Sequence, residues 1–523
     1  MKIINIFFKN NSYLLLIFSV IFFSLLIYRL DLPGFYYDEL LFVNAALNND
    51  SSEMFLHKQF LGVPIFIFPY IGALKSWFYF FIFKIIDISY ISLRMPMIIV
   101  GIISFLLNYF YVKKYISKSV AILFIILASF DISTIMSTRF DWGPTTFMML
   151  FRILFLILLF KYWKSKKIKF LIYCFIVGSL GVFDKANFIW IINAGIFSLI
   201  FVNLISKDFK FKNYIFLIFL YLTLLVFFVS LYTNKVNILD HIDGNFTKEH
   251  LLTSFNLFIN NIAGLNIIHM VCHSCDNLKI SSFLSIFIIC FSFLVLCMDL
   301  IKKNLSNEML FLCIFFILIF FQVSITFPLG GHHLVVFSPL ILILFSYSLL
   351  SFAKKINIYK IYFLSIVIIY YILSSIFVYF YYLENYESSY RTTFSPNIIN
   401  YVENVTNNSS LSTVICIDWG LCTQMQALAS NNDLKFHDLW PNFFHDGLTY
   451  DENEINYLYE KYLSDTNIAF VSFYNNFDDA DSMLNESVSH KFFLHLAEKY
   501  QWEYLAIPFP ADNPEYITFY KLR

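Results

Sequence analysis

The stretch Val63-Pro64-Ile65-Phe66-Ile67-Phe68-Pro69-Tyr70-Ile71-Gly72-Ala73-Leu74-Lys75-Ser76-Trp77-Phe78-Tyr79-Phe80-Phe81-Ile82-Phe83-Lys84-Ile85-Ile86 decides the topology of the whole chain. A transmembrane helix needs about 20 largely apolar residues, and this run is long enough. Counting it as a span would move every later loop to the opposite side. It also carries Lys75, Lys84 and two prolines, Pro64 and Pro69. Eleven other apolar stretches read as spans: 12–28, 95–112, 119–137, 142–160, 169–183, 186–205, 213–233, 280–298, 309–327, 334–353 and 361–383. With 63–86 left out, one side receives Lys2 and Lys9, Lys113, Lys114 and Lys118, then Lys161, Lys164, Lys166, Lys167 and Lys169. The same side receives Lys207, Lys210 and Lys212, Lys302 and Lys303, and Lys354, Lys355 and Lys360. Positive charge in short loops marks the cytoplasm. The stretch 63–86 is therefore expected along the outer interface as amphipathic or re-entrant helices. The N-terminus is then inside and the C-terminus outside. The first apolar run is not read as a signal peptide, because Tyr28-Arg29-Leu30-Asp31 lacks a small-residue cleavage pattern.

Composition agrees with a bilayer-embedded chain. Hydrophobic residues make up 59% and charged residues 14% of 523, against roughly 45–50% and about 25% in ordinary globular proteins. A soluble core cannot absorb that excess. The same balance excludes a disordered chain, a collagen-like fibre and a basic nucleic-acid binder. Lys+Arg and Asp+Glu are both 36, so net charge names no partner, whereas its distribution sets the topology.

From residue 384 the composition becomes polar. Val414–Ile417, Ile468–Val471 and Tyr516–Phe519 read as strands, with helical patterns over 454–463 and 487–500 between them. Alternating strands and helices predict a small α/β domain on the outer side. The expected organisation is thus a transmembrane domain over 1–383, with a first outer loop over 29–94 that includes interfacial helices, followed by an extracytoplasmic domain over 384–523. Of eight cysteines, Cys272 and Cys275 fall in an outer loop and Cys416 and Cys422 in the outer domain. Such pairs suit disulfides in an oxidising compartment. The alternative for the first pair is a metal site completed by His269 and His273. Asp418-Trp419-Gly420 and His437-Asp438-Leu439-Trp440 read as structural.

On this topology the outer rim of the bundle collects ionisable groups at span ends. The first loop holds Tyr36-Tyr37-Asp38-Glu39, and the second holds Thr138-Arg139-Phe140-Asp141-Trp142-Gly143-Pro144. Phe183-Asp184-Lys185 and Gly330-Gly331-His332-His333 follow on the same side. Ionisable residues at headgroup depth are expensive and are functional candidates by default. Each also has a plain structural reading. Asp38 and Glu39 can cap a helix, Arg139 can pair with Asp141, Lys185 can snorkel to the interface, and His332 and His333 can open a helix. Arg152, nearer mid-span, must find a partner, and Asp131 is similarly placed. The combination carries more weight than any member. Acids and cations on one rim suit attack of an acceptor hydroxyl on a lipid-linked phosphate donor. A carboxylate takes the hydroxyl proton, and fixed cations stabilise the departing phosphate.

The first-loop Tyr-Asp-Glu, the Ser92-Leu93-Arg94-Met95-Pro96 run that opens the next span, and Arg139-Phe140-Asp141 resemble the GT-C glycosyltransferases. The resemblance is to the protein O-mannosyltransferase and aminoarabinose-transferase type, including Rgt-like bacterial sugar transferases, and is strongest over 12–205. It implies an all-α polytopic membrane fold of GT-C type with about eleven transmembrane helices. It also implies a metal-independent, inverting sugar transfer from a polyprenyl-phosphate donor on the outer face of the membrane, with no cofactor. Carried over by position, Asp38 is the general base with Glu39 beside it, and Asp141 orients acceptor or base. Arg94, Arg139, Lys185, His332 and His333 are substrate-binding. Aminoarabinose transferases carry a Glu-Lys-Pro in this loop, where the present chain reads Leu61-Gly62-Val63-Pro64. Lys58 and Lys75 are the candidates to supply the absent lysine, and the departure argues against lipid A as acceptor.

The expected partners are a polyprenyl-phosphate-linked sugar, a lipid, glycan or protein acceptor, and the membrane itself, with no nucleic acid. The expected location is a bacterial inner membrane. Two competing readings stand. One is an oligosaccharide transferase or polymerase, which a divalent-metal requirement would favour. The other is a transporter or flippase, which would place its ionisable residues near the midplane on broken helices within paired repeats.

Overall fold

The computed structural model describes residues 11–49, 58–207, 215–232, 248–265, 279–325, 334–356, 360–429, 434–439, 467–474 and 486–522, short interruptions aside. They form two compact units. The first comprises 1–30, 69–72 and 93–389, and the second 31–68, 73–92 and 390–523.

The first unit is helical. Ten of the eleven expected spans are single helices: Asn11–Ile27, Tyr90–Tyr115, Thr145–Ser165, Ile168–Asp184, Ile189–Ile205, Ile215–Tyr232, Lys279–Ile301, Asn307–Ile325, Ser338–Lys355 and Lys360–Ser388. Among the described residues six helices are long and apolar enough to cross a membrane, or seven when one bent pair counts as a single span. The chain is therefore a multi-pass membrane protein. Of the four expected spans outside that count, Asn11–Ile27 and Ile168–Asp184 have 17 residues each, the short end of the working range of about 17–25 residues.

The remaining expected span, 119–137, is two helices, Lys118–Ala128 and Ile132–Arg139, bent by 62°. Its cause is local. Asp131 adopts an extended backbone conformation and its carboxylate accepts from the Thr134 N–H at 3.1 Å. That bond caps a new helix start and ends the old one. Ser133 Oγ donates to Asn261 Oδ1 at 2.9 Å, and Asn261 Nδ2 donates to Leu334 O and Ser338 Oγ, both at 3.1 Å. The second half-helix is thereby tied to the helix Lys248–Ala263 by groups that would otherwise be buried unsatisfied. Arg152 is fully buried, and none of its three guanidinium nitrogens has a hydrogen-bond partner among the described residues.

In the second unit, much of the apolar stretch that decides the topology is strand. β1 (Lys58–Phe60) and β2 (Val63–Phe68) pair antiparallel, and Leu74–Phe83 is helical, while the short β3 (Ile71–Gly72) belongs to the first unit. This differs from the all-helical expectation because Pro64, Pro69 and the alternation of Ile and Phe favour extended chain. The ten-residue helix extends about 15 Å, too short to span.

The C-terminal residues of this unit build a five-stranded sheet in the order β5-β4-β6-β8-β7, from β4 (Thr413–Cys416), β5 (Lys435–Asp438), β6 (Ile468–Phe473), β7 (Tyr504–Phe509) and β8 (Tyr516–Lys521). β4 is parallel to both β5 and β6, while β8 runs antiparallel to β6 and β7. Every residue of β4 and β6 is buried, which is why both read as continuous apolar runs. The helix Glu486–Lys499 packs Phe493 and Leu496 on Phe470, Trp502 and Phe519. Asp418 is structural here, accepting from Ser472 Oγ and Phe473 N–H, each at 2.6 Å. The helical pattern at 454–463 lies outside the described residues.

Cys416 and Cys422 are both buried and unbridged, where a disulfide suited the sequence. Their thiols hydrogen-bond to each other, and burial raises both pKa values above the ordinary thiol range. The thiolate is the reactive form. Maleimide at neutral pH, mapped by mass spectrometry, is accordingly expected to label these two positions only after denaturation.

Candidate functional site

In the second unit the site begins with the helix Tyr37–Leu47, which carries both first-loop acids in its first turn. Carboxylates there complement the positive end of the helix dipole. The two acids differ in environment. Glu39 is buried and its Oε2 accepts from the Tyr36 N–H at 3.3 Å, closing the helix start. Asp38, one residue earlier, is only half-buried. The capping role therefore falls to Glu39.

Lys75 joins this helix from a neighbouring one. It lies in the first turn of Leu74–Phe83 and is fully buried, with its Nζ 4.5 Å from the centre of the Phe42 ring and 5.7 Å from that of Tyr79. Phe42 stands four residues after Asp38, one turn along the same helix face. The fold thus brings Lys75 to the face that carries Asp38. Sequence spacing alone hides this relation, since 37 positions separate Asp38 from Lys75.

In the first unit, two buried arginines secure the backbone just after the first span. Arg94 Nη1 donates to Leu30 O at 2.7 Å. Arg139 donates to Arg29 O and, at 3.2 Å, to Tyr379 Oη, which itself donates to Leu25 O at 2.7 Å. Arg29 has a left-handed φ of 51°, so the chain turns sharply where these guanidinium groups bind it. Tyr379 was not legible as a site residue. The only signal is that Tyr379, Tyr382 and Tyr386 recur along one face of Lys360–Ser388.

Asp141 is 3% exposed, and its Oδ1 accepts from Thr146 N–H at 2.8 Å and Thr146 Oγ1 at 2.7 Å. One carboxylate oxygen therefore caps the helix Thr145–Ser165, across a turn in which Gly143 takes a φ of 67°. Asp141→Ala is expected to lower stability by about 1–2 kcal/mol. Asp141→Asn keeps a carbonyl acceptor and should recover most of that loss. An activity defect shared by both variants, measured beside their melting temperatures, would separate a chemical role from capping.

Lys185 is 2% exposed and follows the helix Ile168–Asp184 in extended conformation, bridged antiparallel to Ile71. Ala186 N–H donates to Tyr70 O at 3.0 Å. Gly72 lies so close that an added Cβ would stand 2.1 Å from Phe183 O. The backbone of Lys185 is thus held at a fixed place beside Tyr70-Ile71-Gly72. Arg94, Arg139, Asp141 and Lys185 belong to the first unit, and Asp38, Glu39 and Lys75 to the second. His332 and His333 lie outside the described residues, as do His269, Cys272, His273 and Cys275. Among the described residues no group of three or more His, Cys, Asp or Glu could hold a metal ion.

Residues 72–232 match the family model of dolichyl-phosphate-mannose-protein mannosyltransferases. No curated protein sequence matches the chain. Among solved structures, the chain is similar to apo ArnT from Cupriavidus metallidurans at 10% identity and a TM-score of 0.58, over 97% of this chain and 98% of ArnT. The same enzyme bound to undecaprenyl phosphate gives 10% identity and a TM-score of 0.56, over 97% of each chain. The archaeal oligosaccharyltransferase AglB from Archaeoglobus fulgidus, in complex with an inhibitory peptide and a dolichol-phosphate, gives 12% identity and 0.52, over 88% of this chain and 69% of AglB. With its helical membrane unit and small C-terminal sheet, the chain has the ArnT-like GT-C glycosyltransferase fold.

Proposed function

We propose that this protein transfers a sugar from a polyprenyl-phosphate donor to a hydroxyl of a lipid, glycan or protein acceptor at the outer face of a bacterial inner membrane. The N-terminus is cytoplasmic and residues 384–523 are extracytoplasmic. Asp38 takes the acceptor proton as the hydroxyl oxygen bonds to the anomeric carbon and the bond from that carbon to the phosphate oxygen breaks. The polyprenyl phosphate leaves and the anomeric configuration inverts. Asp141 orients acceptor or base. Lys75 and Lys185, with Arg94, Arg139, His332 and His333, supply the cations that receive the developing phosphate charge.

The observation that carries this reading is the likeness to ArnT along essentially the full length of both chains, together with the undecaprenyl phosphate that ArnT binds. Purified protein in lipid vesicles, supplied with radiolabelled polyprenyl-phosphate sugars, tests it. Release of free polyprenyl phosphate together with a labelled acceptor is expected. Movement of donor across the vesicle without transfer would point to a flippase instead. The likeness to AglB favours a second reading, transfer of a preassembled glycan. Dependence of activity on added divalent metal would select that alternative.

A further inference from the structure

The Asp38 helix does not stand alone in its unit. Nearly every turn from Gly34 to Asn49 is fastened to residues 393–426. Gly34 N–H donates to Phe394 O at 2.8 Å, and a Cβ at Gly34 would stand 2.1 Å from Ser395 O. The Tyr36 ring stacks on Phe394, with centroids 4.2 Å apart and planes within 7°. Gln424 is buried, and its Nε2 bridges Phe35 O at 2.7 Å and Thr393 O at 3.0 Å. At the far end of the helix, Asn44 Nδ2 donates to Thr423 O at 2.9 Å, and Asn49 Nδ2 donates to Gln426 O at 3.2 Å. Gly420, with a φ of 75°, opens the helix Leu421–Leu428, and its missing side chain leaves room for the Tyr37 ring, which a Cβ would approach to 2.8 Å.

We propose that the C-terminal α/β residues serve as the positioning framework for the catalytic base, with Gln424 and Asn44 as positioning residues that set where Asp38 is held. This rests on Asp38 being that base. The physical reason is geometric. A base must reach its proton within about 2.6–3.2 Å, and small misplacements at a reacting centre cost rate far more than binding. An eleven-residue helix is marginal by itself, so its position is set by what it packs against. Gln424 serves both flanks. One amide group satisfies the carbonyl of Phe35, three residues before Asp38, and that of Thr393 on the C-terminal side.

The test uses the full-length protein in vesicles. Gln424→Met removes the donor at nearly constant volume, and Asn44→Ala provides a second variant at the other end of the helix. Each is expected to lower kcat tenfold or more while donor KM stays within twofold. Amide exchange over 37–47 should accelerate in both, with exchange in the membrane spans unchanged. Asp38→Asn is run alongside. Unchanged kcat in both positioning variants, with Asp38→Asn inactive, would overturn the positioning role and leave the base standing. A rise in donor KM at constant kcat would overturn it as well, by placing Gln424 and Asn44 in donor binding. Full activity in Asp38→Asn would remove the base, and with it the framework's purpose.

Discussion

Asp38→Asn is expected to reduce sugar transfer by about 10²–10⁴-fold, the range lost when a positioned general base is removed. Asparagine matches the carboxylate in shape, so insertion and folding should be unaffected. Glu39 provides the internal contrast, because its oxygen receives the Tyr36 N–H. Glu39→Ala should lower stability by about 0.5–1.5 kcal/mol, the net value of one hydrogen bond, with a much smaller effect on turnover. Initial-rate transfer assays and thermal melts of the two variants decide between the acids. Should Glu39→Ala prove the inactive protein and Asp38→Asn the active one, the assignment of roles reverses.

Lys75→Met is expected to lower kcat/KM for the donor by about 10²–10³-fold, the scale of removing one preorganised stabilising group from a developing anion. Its burial matters to that estimate. A fully buried ammonium over the Phe42 ring acts in a medium that screens poorly, so its charge counts for more than that of a surface lysine. The ring contact itself contributes about 0.5–2 kcal/mol. If Lys75 only packs, Lys75→Met should transfer sugar at the normal rate and change only the melting temperature.

The membrane part of the fold was legible because a bilayer demands long apolar runs, and each of the expected runs is helical. The break within 119–137 was less visible, although its cause was in view: Asp131, a residue type favoured as a helix N-cap, stands inside an apolar run. The first outer loop misled because composition does not distinguish an interfacial helix from a strand pair, and there the prolines were the better guide. β4 and β6 were legible as buried runs. β5, which reads Lys435-Phe436-His437-Asp438, and β7, which contains Pro508, lacked that pattern as outer strands of the sheet. The candidate acids and cations stand out in the sequence by residue type and span position. Their partners do not, since Lys75 on Phe42, Arg139 on Tyr379 and Gln424 on Phe35 are tertiary contacts between distant segments that leave no periodic trace.

The outer strand β7 has a consequence for how copies of the protein meet. Leu522 N–H donates to Glu503 O across the β7–β8 pair. By the register of that pair, the backbone groups of Tyr504, Ala506 and Pro508 point away from β8. Leu505 and Ile507 are exposed along the same strand, an arrangement that would otherwise invite a second molecule to zip on and continue the sheet. Proline has no N–H to offer at the third of those outward positions, so an incoming strand would lose its grip there. Concentrated preparations should therefore resist fibrillar chaining through this rim, and exchanging Pro508 for a β-branched residue would be the change that invites it.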